Sequence, residues 1–119
     1  MIHIEKFHNL DSGQMSQLGN HHWSVARLIM LSRDLEVMEI PLRHMCVSYV
    51  YGQQTLREMV THMKAVGDAD MQYPIILDED GDIMDGRHRL MKAMIDGDKT
   101  IKAVRFDINP TPCFSDDDS

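Results

Sequence analysis

Apolar residues along the chain fall into short runs, some alternating and some at helical spacing, separated by glycine, proline and acidic turns. Residues 1–19 alternate weakly at Ile2, Ile4 and Phe7 and then become polar, which predicts a short strand or arm followed by a loop. Over 21–32, Trp23, Ala26, Arg27, Met30 and Leu31 form a mostly apolar stripe, and Asn20 can cap the helix that this stripe predicts. The alternation over 35–40 predicts a half-buried strand stopped by Pro41. Residues 42–50 fit either a helical turn or an extended link, and Tyr49, Tyr51 and Gly52 read as loop.

A second helix is predicted over 54–66, with Leu56, Met59, Val60 and Met63 on one apolar face and Gly67 as its stop. Residues 73–77 read as a strand with Pro74 at its start, and Asp80-Gly81 predicts a tight hairpin that returns antiparallel over 82–84. Gly86 then releases the chain into a helix over 87–96 that buries Leu90, Ala93 and Met94 and ends at Gly97. The last strand, 100–106, carries basic residues on one face and offers Ile101, Ala103 or Val104, and Phe106 for packing. Beyond it, Pro110, Pro112 and a run of aspartates predict a flexible acidic tail.

The pattern gives an α+β fold: a single compact domain with a small mixed sheet flanked by helices. It divides into an arm and helix over 1–34, a core over 35–108 and the tail over 109–119. Eleven methionines are many for 119 residues. Met59, Met63, Met91 and Met94 sit at helical spacing beside other apolar residues, which assigns them to the core.

Charge narrows the function classes. Twelve basic residues against nineteen acidic ones leave a net charge of −7, a surface that repels nucleic acid on average. A sequence-specific nucleic-acid target is therefore not expected. No apolar run is long enough to cross a bilayer and the first residues lack a signal-peptide core, so a cytoplasmic protein without membrane contact is expected. Cys46 and Cys113 are in no metal or redox spacing and read as free or packed thiols. His21 and His22 are adjacent, which on a helix would turn them about 100 degrees apart and make them a poor metal pair.

Chemistry concentrates at the junction of 78–90. Gly86 opens a helix whose first turn carries Arg87, His88 and Arg89. The first N–H groups of a helix lack intrahelical acceptors and sit at the positive end of its dipole, so an anion is favoured there. Arg87 and Arg89 can donate charge-assisted bonds to phosphate, and His88 adds a donor or proton-transfer group. Water-facing charges at a strand-to-helix junction are the plain structural alternative. Asp78, Asp80 and Asp82 mimic the opening of a calcium loop, but Ile83 and Arg89 occupy the positions that require glycine and glutamate. A metal site is not expected there.

With these elements in order, the chain resembles the ParB/sulfiredoxin superfamily over residues 35–107. The carriers are Ile40-Pro41-Leu42, Tyr73-Pro74-Ile75-Ile76 with its hairpin, Asp85-Gly86-Arg87-His88-Arg89-Leu90 opening a helix with Ala93, and the closing strand. The resemblance implies a nucleotide-phosphate cradle at Gly86, His88 and Arg89, with CTP, ATP or ADP as the cofactor. Arg87 stands where sulfiredoxins have their cysteine, which argues against sulfinic-acid reduction. On the preceding helix, where relatives contribute lysine, serine or threonine, this chain has Thr55, Glu58 and His62. That set keeps a hydroxyl and introduces an acid.

Three functions compete. A nucleotide-binding domain could support phosphotransfer or hydrolysis, with Arg87, Arg89, Thr55 and His62 beside the ligand, His88 on a transferring oxygen, and Asp85, Glu58 or Glu39 orienting the nucleophile or Mg. Asp85 leads among these acids, its plain alternative being to cap the helix after Gly86. A ParB-like metal-dependent nuclease would use the acids of the hairpin, although a hairpin scatters alternate side chains over opposite faces. A non-catalytic interaction protein of a plasmid or phage system would use the acidic tail and exposed methionines to bind a protein partner. The nucleotide, the acceptor and the oligomeric state are not encoded in any motif.

Overall fold

The computed structural model describes residues 15–45 and 54–116. The strand expected around Ile2 to Phe7, the loop at Tyr49, Tyr51 and Gly52, and Cys46 lie outside them. In chain order the elements are β1 (Met15–Leu18), β2 (His21–Ser24), α1 (Val25–Ser32), β3 (Met38–Pro41), a 3-10 turn (Leu42–His44), α2 (Leu56–Asp68), β4 (Ile75–Leu77), β5 (Ile83–Asp85), α3 (Arg87–Asp96), β6 (Thr100–Arg105) and β7 (Phe114–Ser115).

Alternation along β6 sets the core. Its neighbours in a four-stranded sheet follow the order β3-β6-β4-β5, with β4 parallel to β6 and the other pairs antiparallel. Ile101 and Ala103 face one side with Ile75, Leu77 and Ile83, where Leu90 and Ala93 of α3 cover them. Val104 and Phe106 face the other side with Ile76 and Met84, under Trp23, Val25, Leu28 and Ile29. The period of two thus divides one mixed sheet between two helices, as the α+β expectation required.

The predicted helix over 21–32 is corrected at its first turn. His21, His22 and Trp23 form β2, which pairs with β1 on one side and β7 on the other. Ser24, not Asn20, is the N-cap, its hydroxyl accepting from Arg27 N–H at 3.3 Å. Gly19, at φ +60, makes the tight turn that lets the hairpin compete with the helix. The strand expected over 35–40 starts later, at Met38, and includes Pro41. β3 is an edge strand, where the missing proline N–H is tolerated.

The acidic tail is also corrected. Up to Asp116 it is ordered against the amino-terminal hairpin, which makes a second, three-stranded sheet of order β1-β2-β7. Trp23 Nε1 donates to Pro110 O at 2.9 Å, Arg27 donates to Thr111 O, Cys113 N–H donates to His22 O at 2.8 Å, and Asp116 N–H to Asn20 O at 2.7 Å. Phe114 stacks on the His22 ring at 4.4 Å, and the free thiol of Cys113 accepts from Ser24 N–H. Pro110 and Asp116 read as disorder because each finds its partner far away in sequence.

Methionine placement departs most from expectation. Met59, Met63 and Met94 are exposed rather than core, as are Leu56 and Val60, and only Val66 of α2 is buried. Lys92 of α3 reaches across to Gly67 O and Ala69 O, both at 3.2 Å, and so closes the carboxyl end of α2. The helix is amphipathic, but most of its apolar face remains exposed. No helix among the described residues is long and apolar enough to cross a membrane.

Two measurements follow from this packing. Removing residues 110–119 strips Trp23 of its acceptor and β2 of a neighbour, with an expected loss of about 1–3 kcal/mol on urea unfolding and a red shift of the single tryptophan's emission. The double variant Leu56→Glu, Val60→Glu is expected to stay within about 0.5 kcal/mol of the parent in the same experiment, since surface changes rarely do more.

Candidate functional site

Gly86 governs the junction at the start of α3. Its backbone is left-handed at φ +107, and a Cβ there would lie 2.5 Å from Ile75 Cγ2 and 3.0 Å from Ile75 Cα. Only glycine meets both demands, so the close approach it permits is that of α3 to β4. As N-cap, Gly86 contributes no side chain to the helix terminus, and the first intrahelical bond runs from Leu90 N–H to Gly86 O. The N–H groups of Arg87, His88 and Arg89 therefore precede the intrahelical ladder.

Arg89 turns inward. Its guanidinium donates to Tyr73 O at 3.1 Å, to Pro74 O at 3.0 Å and to Asp85 Oδ2 at 2.9 Å. Both ends of the ion pair are largely shielded, at 13% and 15% side-chain exposure. Asp85, expected as a catalytic acid or a helix cap, is thus the counter-ion of Arg89. Arg87 remains on the half-exposed rim of the same turn.

The α2 residues divide. Thr55 is the N-cap of α2 and forms a reciprocal capping box with Glu58: Glu58 N–H donates to Thr55 Oγ1 at 3.1 Å, and Thr55 N–H donates to Glu58 Oε1 at 2.9 Å. The bond from Thr55 N–H first, and then a side-chain bond from Thr55, hold the Glu58 carboxyl below its ordinary pKa. The pair sits at the exposed end of the helix. His62 is brought to the junction instead, its Nδ1 2.8 Å from His88 Nε2. Burial first, then the charges of His62, Arg87 and Arg89, push the His88 imidazole below its ordinary pKa, against an opposing pull from Asp85. A neutral His88 is therefore the favoured form in the folded protein at neutral pH.

Beside this pair lies a groove of about 510 Å³ lined by Met59, His62, Met63, Val66, Met91 and Ile95. It is mostly apolar, with His62 among its few polar lining residues. The spacing of Thr55, Glu58 and His62 on one helix side was the sequence signal for this wall, while the partnership of His62 with His88, 26 residues on, had none.

The hairpin acids do not scatter as expected. Ligand atoms of Asp78, Asp80 and Asp82 lie within 4.8 Å of one another, close enough to hold a cation. They belong to the turn rather than to the strands, so the alternation of faces does not separate them. The turn itself explains their convergence: buried Asp78 accepts from the N–H groups of Asp80 at 2.9 Å and Asp82 at 2.8 Å through Oδ1. Asp85 is not among them, being held by Arg89.

No family model, curated protein or solved structure matches the chain. The site accordingly rests on its own geometry. Arg89→Ala leaves Asp85 unpaired and two carbonyls without their donor, and the expected loss is about 3–5 kcal/mol on chemical denaturation, much more than a solvent-facing arginine would give.

Proposed function

We propose that this chain is a nucleotide-phosphate-binding domain of the ParB/sulfiredoxin type, with the ligand's anionic end at the start of α3. The observation that carries this reading is the glycine-capped opening of α3, with Arg87 and His88 in its first turn and His62 delivered beside them by α2. Helix polarity supplies a fixed partial positive charge, and Arg87 adds a full one. Arg89 acts through the scaffold, by holding Asp85 and the entry to β4. Phosphotransfer or hydrolysis would need an acid near the anion or its Mg. Asp85 and Glu58 are both engaged, so binding is the function the geometry supports more directly than turnover.

An interaction protein is the second reading, favoured by the exposed apolar face of α2 at Leu56, Met59, Val60 and Met63. A nuclease is less well supported, because one carboxylate oxygen of Asp78 is already the acceptor of two turn N–H groups.

Thermal melting with CTP, ATP and ADP, each with and without Mg, separates these readings. One nucleotide at a hundredfold excess over its Kd is expected to stabilise the protein by about 2.7 kcal/mol, a rise of several degrees. Arg87→Ala, measured against its own unliganded melting point, should abolish the rise. Failure of every nucleotide to raise the melting temperature would sink the proposal; Arg89→Ala is unsuitable here because it also disrupts the fold.

A further inference from the structure

Along α2, Leu56, Val60, Met63 and Gly67 follow the alternating spacing of four and three residues that defines a heptad seam. Leu56 is 78% exposed, Val60 56% and Met63 65%. Gly67 is exposed as well, and a Cβ built on it meets nothing within 4 Å. Neither a left-handed backbone nor a close neighbour among the described residues calls for glycine there, although glycine within a helix costs about 0.5–1 kcal/mol relative to alanine.

Beside this seam runs the groove between α2 and α3. The two helices lie side by side in the same direction, since His62 meets His88 and Lys92 meets Gly67 O. Met63 and Gly67 belong to the groove wall as well as to the seam, with Met59, Met91 and the exposed Ile95 around them. The chain thus presents a projecting leucine at the amino end of α2 and, roughly 16 Å further along the axis, an open hollow at its carboxyl end.

A two-fold axis across the middle of α2 brings knob and hollow together. With the axis midway between Val60 and Met63, each Val60 lies over Met63 of the second copy, and each Leu56 lies over Gly67 of the second copy, because both pairings share that midpoint. The alignment is antiparallel, so the positive end of each helix dipole comes near the negative end of the other. Arg57 of one copy meets the Lys64–Asp68 pair of the other. Across the face Arg57, Lys64 and Lys92 offset Asp68 and Asp96, which keeps the contact locally balanced although each copy carries a net charge of −7.

We propose that a second copy of this chain occupies this face: two molecules pack α2 against α2 about a two-fold axis, each inserting Leu56 into the hollow beside Gly67 and Ile95 of the other. A stable interface buries about 800 Å² on each partner. The seam alone falls short of that area, and the groove wall of Met59, Met91 and Ile95 extends it, which puts the dimer at the small, weak end of the range and leaves dilute samples monomeric. The start of α3 takes no part in the contact, so this inference is independent of the phosphate reading.

Sedimentation equilibrium of the full chain, from low micromolar to millimolar concentration, reads the association directly. A reversible passage from monomer to dimer is expected. The double variant Leu56→Glu, Val60→Glu removes the knob, and Gly67→Gln fills the hollow at a point where the single chain has room for a side chain. Each, checked for folding by far-UV circular dichroism, is expected to weaken the dimer at least about tenfold. A chain that stays monomeric throughout, as it does if this face serves a different protein, overturns the proposal, and so does a dimer whose affinity survives either change.

Discussion

One guanidinium fixes where everything near the junction stands. Arg89 joins the entrance of β4, through the Tyr73 and Pro74 carbonyls, to the end of β5, through Asp85, while being itself part of the first turn of α3. Because these bonds are charge-assisted and shielded from water, loss of one partner leaves an uncompensated buried group rather than a hydrated one. Gly86 completes the constraint by seating the helix start directly on Ile75. The positions of Arg87 and His88 follow from these two contacts, so the chemistry of the turn depends on residues that take no direct part in it.

Against this fixed wall stands a weakly held one. α3 sends Leu90 and Ala93 into the sheet, whereas α2 buries only Val66 and is tied, among the described residues, through Lys92 and His62. Helices of this kind belong to the low-stability end of a structure, where few buried apolar contacts oppose local opening. The groove between the two helices therefore has one rigid side and one adjustable side, and its methionines suit a surface whose shape changes.

Much of the sheet was legible in the sequence because its signals were local. Asp80-Gly81 specified the hairpin between β4 and β5, the alternation at Ile101, Ala103 and Val104 specified β6, and Gly97 ended α3 where expected. Errors arose where distant partners decided the outcome. His21 to Trp23 satisfied a helical pattern equally well, and pairing with β1 and β7 settled it. The α2 methionines carried a correct helical period, but a period states only that a face is apolar, not that the chain possesses something to cover it. At the site, the first turn of α3 was visible as Gly86 to Arg89. The inward turn of Arg89 was not, since charge alone does not distinguish a ligand donor from a structural one.

The three-stranded sheet has an implication for how the chain comes together. Trp23 and its acceptor at Pro110 are separated by 87 positions, and β2 obtains its second neighbour only from residues 114 and 115. Contacts of such long sequence separation form late, after the loop-closure entropy between them has been overcome. During synthesis the amino-terminal hairpin must therefore wait, with one strand edge unpaired, until almost the whole described sequence has left the ribosome. In that interval the hairpin is the part of the nascent chain most open to wrong pairing.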